Sequence, residues 1–192
     1  MRKIFVDCGA WEGTSSKYWR EQYGLEWDIY AFECNPIAIE SLKKIGDIIL
    51  IQSAVYKSNC NLSFTCGGEK YSEGSSACDT RTMRRFSGKQ GHALKVDAID
   101  FSEWIFQNTV AEDVVVVKMN IEGAEYDVVP RLVETGAIEH IDHLFIDWHC
   151  QKMDMHIGKH IEILESIPIP FSTWNLNRKG DLLWRNERKI EF

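Results

Sequence analysis

The sequence predicts an α/β fold in which a mostly parallel central sheet carries helices on both faces. Three observations lead there. Short apolar runs alternate with helical segments along most of the chain, several of those runs are apolar enough for burial on both faces, and chemistry-bearing residues recur just after them.

The elements follow in order. Residues 4–7 read as a short buried strand, and Thr14–Tyr23 as a helix running into Gly24. A second strand spans 28–33 and ends in Glu33-Cys34-Asn35-Pro36. Asn35 suits an N-cap and Pro36 the first helical position, so a helix is expected over 36–45, stopped by Gly46. Residues 48–55 read as a third strand, buried on both faces. The alternation then breaks. Residues 61–66 suit a short strand, and 67–92, rich in Gly, Ser and charge, predict a mobile loop or lid. That segment holds Tyr71 and the cations Arg81, Arg84, Arg85 and Lys89, a solvated charge run or a set of contacts to an anionic acceptor.

Order returns with a strand at 94–99, then Asp100-Phe101-Ser102-Glu103, whose spacing resembles a capping box for a helix to Gln107. Val114–Met119 is the strongest strand signal in the chain. A helix over 124–134 follows, with Gly136 as its stop and a kink or break expected at Pro130. A strand at 143–148, a helix at 157–166, and a closing antiparallel pair formed by 171–175 and 182–185 complete the series. No linker interrupts it, so residues 1–192 are read as one domain.

Composition narrows the function classes. A net charge of −7 disfavours general binding to nucleic acid. No apolar run approaches the roughly 20 residues of a membrane span, and the first residues lack a signal-peptide core. A cytoplasmic setting is the default expectation. The six cysteines form no CxxC pair and are read as thiols rather than as a disulfide framework or a zinc site. His156 and His160 stand at i, i+4 but lack the Glu of a helical zinc motif, so they are read as a surface pair and no metal is assigned.

In open parallel sheets ligands sit beyond the carboxyl ends of the strands. Asp7-Cys8-Gly9-Ala10-Trp11-Glu12-Gly13 follows the first strand, Glu33 and Asn35 the second, Asn120 and Glu122 the Val114–Met119 run, and Asp147-Trp148-His149 the next. A dinucleotide site needs a middle glycine where the backbone meets the pyrophosphate, and here Trp11 occupies that place. S-adenosylmethionine has no pyrophosphate. Its ammonium suits a carboxylate such as Asp7, and Glu33 can accept from both ribose hydroxyls. The cofactor set read from the sequence is Asp7, Gly9, Ala10, Gly13, Glu33, Asn35, Ser53 and Asn120.

Three segments resemble the FkbM-type methyltransferases: Phe5-Val6-Asp7-Cys8-Gly9-Ala10-Trp11-Glu12-Gly13, Ala31-Phe32-Glu33-Cys34-Asn35-Pro36, and Val117-Lys118-Met119-Asn120-Ile121-Glu122-Gly123-Ala124-Glu125. Ala98-Ile99-Asp100 also fits, and the likeness runs from about residue 4 to about 149. It implies a Rossmann-like class I methyltransferase domain and O-methylation, often of sugars or polyketide-type products. One departure stands out: where the family usually has Asp, this chain has Asn120, which can hydrogen-bond but cannot take a proton as a carboxylate does.

For removal of the hydroxyl proton the candidates are His149 and Asp147, with His149 favoured because imidazole titrates near neutrality. The alternative is a histidine ordering a loop and an aspartate capping a turn. Glu122 is read as the nearer of two acidic residues to the site. Glu122 and Glu125 orient Lys118, hold acceptor hydroxyls, or simply open the helix. Trp11, Trp148 and Tyr71 are candidate flat surfaces for a sugar ring. The acceptor is a small molecule or glycan, bound in an open cleft or presented by a partner such as a glycosyltransferase or a second copy. Two other classes stand beside this reading. One is an NAD(P)-type oxidoreductase with a degenerate glycine loop, against which Trp11 speaks. The other is a catalytically inactive cofactor-binding partner module, for which Asn120 is the only hint.

Overall fold

The computed structural model describes residues 1–67, 72–76, 92–150, 153 and 155–174. In chain order the first elements are β1 (Lys3–Cys8), α1 (Thr14–Tyr23), β2 (Trp27–Phe32), α2 (Pro36–Leu42) and β3 (Ile49–Ile51). Next come β4 (Ala54–Tyr56), β5 (Cys60–Gly67), β6 (Ser72–Ser76), β7 (His92–Asp100) and α3 (Phe101–Asn108). The rest are β8 (Val114–Met119), α4 (Glu125–Thr135), a 3-10 turn at Ala137–His140, β9 (His143–Ile146), α5 (Ile157–Glu165) and β10 (Phe171–Thr173).

Six strands form one sheet in the order β10-β9-β8-β1-β2-β3, and every pairing in it is parallel. The chain builds outward from β1 to β3, then crosses back and builds the other way from β8. The reversal therefore falls between β1 and β8, the place where such Rossmann-like sheets open a crevice at their carboxyl ends.

Strand alternation decides what each face carries. Ile4, Val6 and Cys8 of β1 join Val115, Val117 and Met119 of β8 in one core, with Phe101 and Ile105 of α3 and Val128 and Leu132 of α4. Phe5 and Val116 point the other way, into a core with Trp19 of α1, Trp27, Phe145 and Trp174. Phe5 and Trp19 stack there with centroids 4.1 Å apart. Each fully buried side chain of this size contributes roughly 1.5–3 kcal/mol. The two central strands are apolar on both sides because both sides are covered.

A second sheet, β4-β7-β5-β6, stands apart from the first. β4 pairs parallel with β7, and β5 pairs antiparallel with both β7 and β6. This corrects the single strand expected at 48–55. Its first half is β3, at the edge of the main sheet with Ile49 exposed, and its second half is β4 in the other sheet. The break has a local cause: the Ser53 N–H turns back onto the Ile51 carbonyl at 3.0 Å.

Other boundaries follow from capping. Asn35 caps α2, accepting from the Ile37 N–H at 3.0 Å, with Pro36 as the first helical residue. The helix ends earlier than residue 45 because Lys44 and Ile45 donate to Ser41 and Leu42, tightening the chain before Gly46. Asp100 caps α3 through the Ser102 and Glu103 N–H groups. α4 runs through Pro130 in one piece, so the two-piece alternative does not form. Of the segment read as a loop, 72–76 is strand β6 and His92 opens β7, while 68–71 and 77–91 lie outside the described residues. β10 adds to the main sheet in parallel, and 182–185, the other half of the expected closing pair, also lies outside them. Among the described residues no helix is long and apolar enough to cross a membrane.

Candidate active site

Register brings the marked residues to one level. Cys8 pairs with Phe32 and with Met119, and Met119 pairs with Ile146. Gly9, Glu33, Asn120 and Asp147 are thus each the first residue beyond its strand, side by side along the rim. Backbone bonds extend the ladder there: Gly9 donates to Phe32, Asn120 to Cys8 at 3.0 Å, and Asp147 to Met119 at 2.9 Å. Ser53 lies on the same rim, half-buried, two residues past the end of β3.

Beneath the first loop is a buried ion pair. Asp7 and Lys118 are cross-strand partners on the face covered by α1. Asp7 is fully buried and Lys118 nearly so, and Nζ lies 2.9 Å from Oδ1. The other carboxylate oxygen accepts from Ser16 Oγ at 2.7 Å, and Nζ also donates to the Gly9 carbonyl at 2.8 Å. Two Asp7 acceptor positions thus hold Ser16 and Lys118, and through Lys118 the Gly9 carbonyl of the loop. Lys118 is oriented by Asp7 and Gly9, where the sequence had suggested Glu122 or Glu125. Nothing in the sequence points to Ser16, for a serine in a helix carries no signal. Lys118 did carry one, as the lone charge in an apolar strand.

The loop itself is bent tightly. Gly9 has φ +75°, and Gly13 φ +78°. A Cβ on Gly13 would meet Ile45 Cδ1 at 2.2 Å, so this turn packs directly against the end of α2. Ala10 is buried and donates to the Phe32 carbonyl at 3.0 Å, and Gly13 donates to Ala10 at 2.8 Å. Trp11 is left-handed, with φ 50°, and half-buried.

Glu33 closes this loop onto β2. Its Oε2 accepts from the Trp11 N–H at 2.8 Å, while Oε1 accepts from the Cys34 N–H at 2.8 Å and the Asn35 N–H at 2.7 Å. Burial pushes its carboxyl above the usual range, and the three backbone donors, with Lys118, pull back toward the charged form. A carboxylate has about four acceptor positions. Three are filled by backbone donors, and by that count one acceptor position is left. Two buried amide atoms nearby have no partner among the described residues: Asn35 Nδ2 and Asn120 Oδ1. A donor and an acceptor stranded at the rim of a crevice are what a polar ligand would satisfy.

The second half of the rim is built around Glu125, which is fully buried in the first turn of α4. Its Oε2 accepts from Gly123 N–H at 2.6 Å, and its Oε1 from Ile121 N–H at 2.8 Å. These bonds fold the turn after β8, in which Glu122 is left-handed at φ 61°. The same Oε1 lies 3.1 Å from His149 Nδ1, and Glu122 Oε2 lies 3.6 Å from His149 Nε2. Burial draws the His149 pKa down, but Glu125 and Asp147 outweigh it and the net shift is upward. Asp147 is raised by burial, with Glu125 adding to the rise and His149 and Lys118 opposing it. The catalytic candidates Glu122, Asp147 and His149 are thus one cluster, and Glu125 belongs to it more closely than its place in the sequence suggested.

Other candidates fall elsewhere. Trp148 packs against Tyr126 and His160, with centroids 5.2 and 5.3 Å away, and is half-buried. His156 caps α5 through the Gly158 N–H, while His160 is half-buried with Nδ1 3.0 Å from the Tyr126 hydroxyl. The two are not a surface pair. Cys8, Cys60 and Cys150 are free thiols. Cys66 and Cys78, like Tyr71 and the four cations after it, lie where no side chain is described.

No curated protein and no solved structure matches the chain. The sequence model of the methyltransferase FkbM domain matches residues 7–166, a span that begins at Asp7 and takes in the loop, Glu33, the Glu122–Glu125 turn and His149. The chain belongs to the FkbM methyltransferase family.

Proposed function

We propose that this methyltransferase uses S-adenosylmethionine and methylates a hydroxyl, one carried by a sugar in a glycan or glycosylated product. The observation that carries the cofactor assignment is Glu33, fixed at the end of β2 by three backbone N–H groups with an acceptor position to spare. That position suits a ribose hydroxyl. The bond from Trp11 N–H to Glu33 also argues against a dinucleotide, since it takes up the amide that would otherwise face a pyrophosphate.

S-adenosylmethionine supplies a methyl group already activated on a sulfonium. The chain's own residues bind, align and move a proton. Glu33 holds the ribose. Asn120 Oδ1, buried and without a partner among the described residues, accepts from the ammonium, and Asn35 Nδ2 donates to a ligand oxygen. Gly9, Ala10 and Gly13 shape the loop, Asp7 and Lys118 brace it, and Ser53 extends the pocket along the rim. His149 takes the hydroxyl proton through Nε2. Glu122, across from that nitrogen, steadies the imidazolium that results. The sugar as acceptor rests on the family resemblance. A glycosyltransferase partner or a second copy of the chain is one way for such an acceptor to reach an open cleft.

The test is calorimetric titration with S-adenosylhomocysteine and, separately, NAD. Wild type is expected to bind the first and not the second. A hydrogen bond to a charged group is worth about 1.5–3 kcal/mol, so Glu33→Ala is expected to weaken binding by about 10- to 100-fold. Preference for NAD, or no binding of either, would refute the cofactor assignment. Transfer of labelled methyl to sugar alcohols, against amine controls, then tests the acceptor class.

A further inference from the structure

We propose that Glu125 is a positioning residue for methyl transfer: it holds the Nδ1–H of His149 and so presents the Nε2 lone pair to the acceptor hydroxyl. This rests on His149 as the proton acceptor. The geometry behind it is independent of any ligand.

Glu125 is fully buried and its carboxylate already has two backbone donors, Ile121 N–H and Gly123 N–H. Each of its two oxygens already accepts a backbone N–H, so the side chain is held as an acceptor on the side of the imidazole. The atom 3.1 Å from its Oε1 is His149 Nδ1, which must therefore carry hydrogen. In the neutral ring that leaves Nε2 unprotonated, the form a base needs, and Nε2 is on the side of Glu122. Free histidine favours the opposite tautomer in water, so the arrangement requires a fixed acceptor. The ring sits at the carboxyl end of β9, on the same rim as the Gly9 loop.

Because Glu125 also ties Ile121 and Gly123, the base and the turn after β8 share one anchor. Transfer would form the O–CH3 bond as the S–CH3 bond of the sulfonium breaks, the electron pair leaving with sulfur as S-adenosylhomocysteine, and the hydroxyl proton passes to Nε2. The charge it creates lies between Glu125 and Glu122, with Asp147 two residues back along the chain and Lys118 acting on Asp147 from β8. Proton loss to solvent resets the ring, since the His149 side chain retains 15% exposure. Glu125 touches neither reactant in this scheme; it acts through the imidazole.

Nitrogen-15 NMR of wild type at a pH above the His149 titration reads the tautomer directly. Nδ1–H is expected, and a dominant Nε2–H form would overturn the proposal whatever the variants do. Glu125→Gln is expected to retain S-adenosylhomocysteine binding within about twofold, to lower the His149 pKa, and to reduce kcat by about 100-fold or more. A folded Glu125→Gln with an unchanged tautomer and unchanged kcat would equally overturn it. Should that variant fail to fold, the wild-type tautomer decides. Absence of S-adenosylhomocysteine binding in wild type would defeat the cofactor assignment alone and leave the tautomer result standing.

Discussion

Gly9 and the carbonyl of Asn120 approach so closely that a Cβ on residue 9 would lie 2.0 Å from that oxygen. The contact joins the ends of β1 and β8 at the point where the sheet reverses its order. Glycine is needed here twice over, for its φ of +75° and for the space.

The first prediction concerns that contact. Gly9→Ala cannot relieve the overlap by moving a flexible side chain, because the opposing atoms are backbone. A loss of about 2–4 kcal/mol is expected. At roughly 2–4 °C per kcal/mol for a chain this size, Tm falls by about 5–15 °C. Thermal denaturation measures it. A variant as stable as wild type would mean that the two strand ends do not meet as described.

Beneath this contact, the Asp7–Lys118 pair predicts a strong non-additivity. Removing one member strands a buried charge, so Lys118→Met is expected to cost about 3–5 kcal/mol. Asp7→Asn should also destabilise, since Ser16 and Lys118 both rely on the carboxylate. The double variant is expected to be less destabilised than the sum of the two, by about 1–3 kcal/mol. Urea unfolding of the four proteins reads the coupling. Strict additivity would show that the pair contributes no mutual interaction.

Much of this is legible in the sequence because it depends on local signals. Asn35-Pro36 announces a helix start, Asp100 a cap, and Gly136 a stop, and each does what its chemistry implies. The strand ends were found for a similar reason: polar residues stop apolar runs. What was not legible depends on which strand lies beside which. The polar pair Gln52-Ser53 does mark a break between Ile51 and Ala54, but no local feature of 48–55 says that the two pieces join different sheets. Asp7 stands out in the sequence as a candidate, but its partners Lys118 and Ser16 are supplied by register and by the cover of α1. Glu125 looked like a helix-opening carboxylate, and it is one. Its bond to His149 arises only once β8 and β9 are adjacent.

The last prediction is the pH dependence of turnover. The His149 pKa lies above the ordinary imidazole value of about 6.5, because Glu125 and Asp147 favour the cation more than burial opposes it. A base must be neutral to act, so kcat/KM is expected to rise with pH and level off only above that elevated value. Folding stability should move the opposite way. A histidine whose folded pKa is raised contributes stability that is full below its unfolded pKa and is lost as pH rises through the folded one. Glu122→Gln removes the carboxylate 3.6 Å from Nε2 and is expected to shift the activity midpoint to lower pH. Rate profiles from about pH 5 to 9, with denaturation at both ends of that window, test the pair of trends. A wild-type midpoint at or below about 6.5 would remove Glu125 and Asp147 from the account of how His149 is tuned, and one that Glu122→Gln leaves in place would remove Glu122.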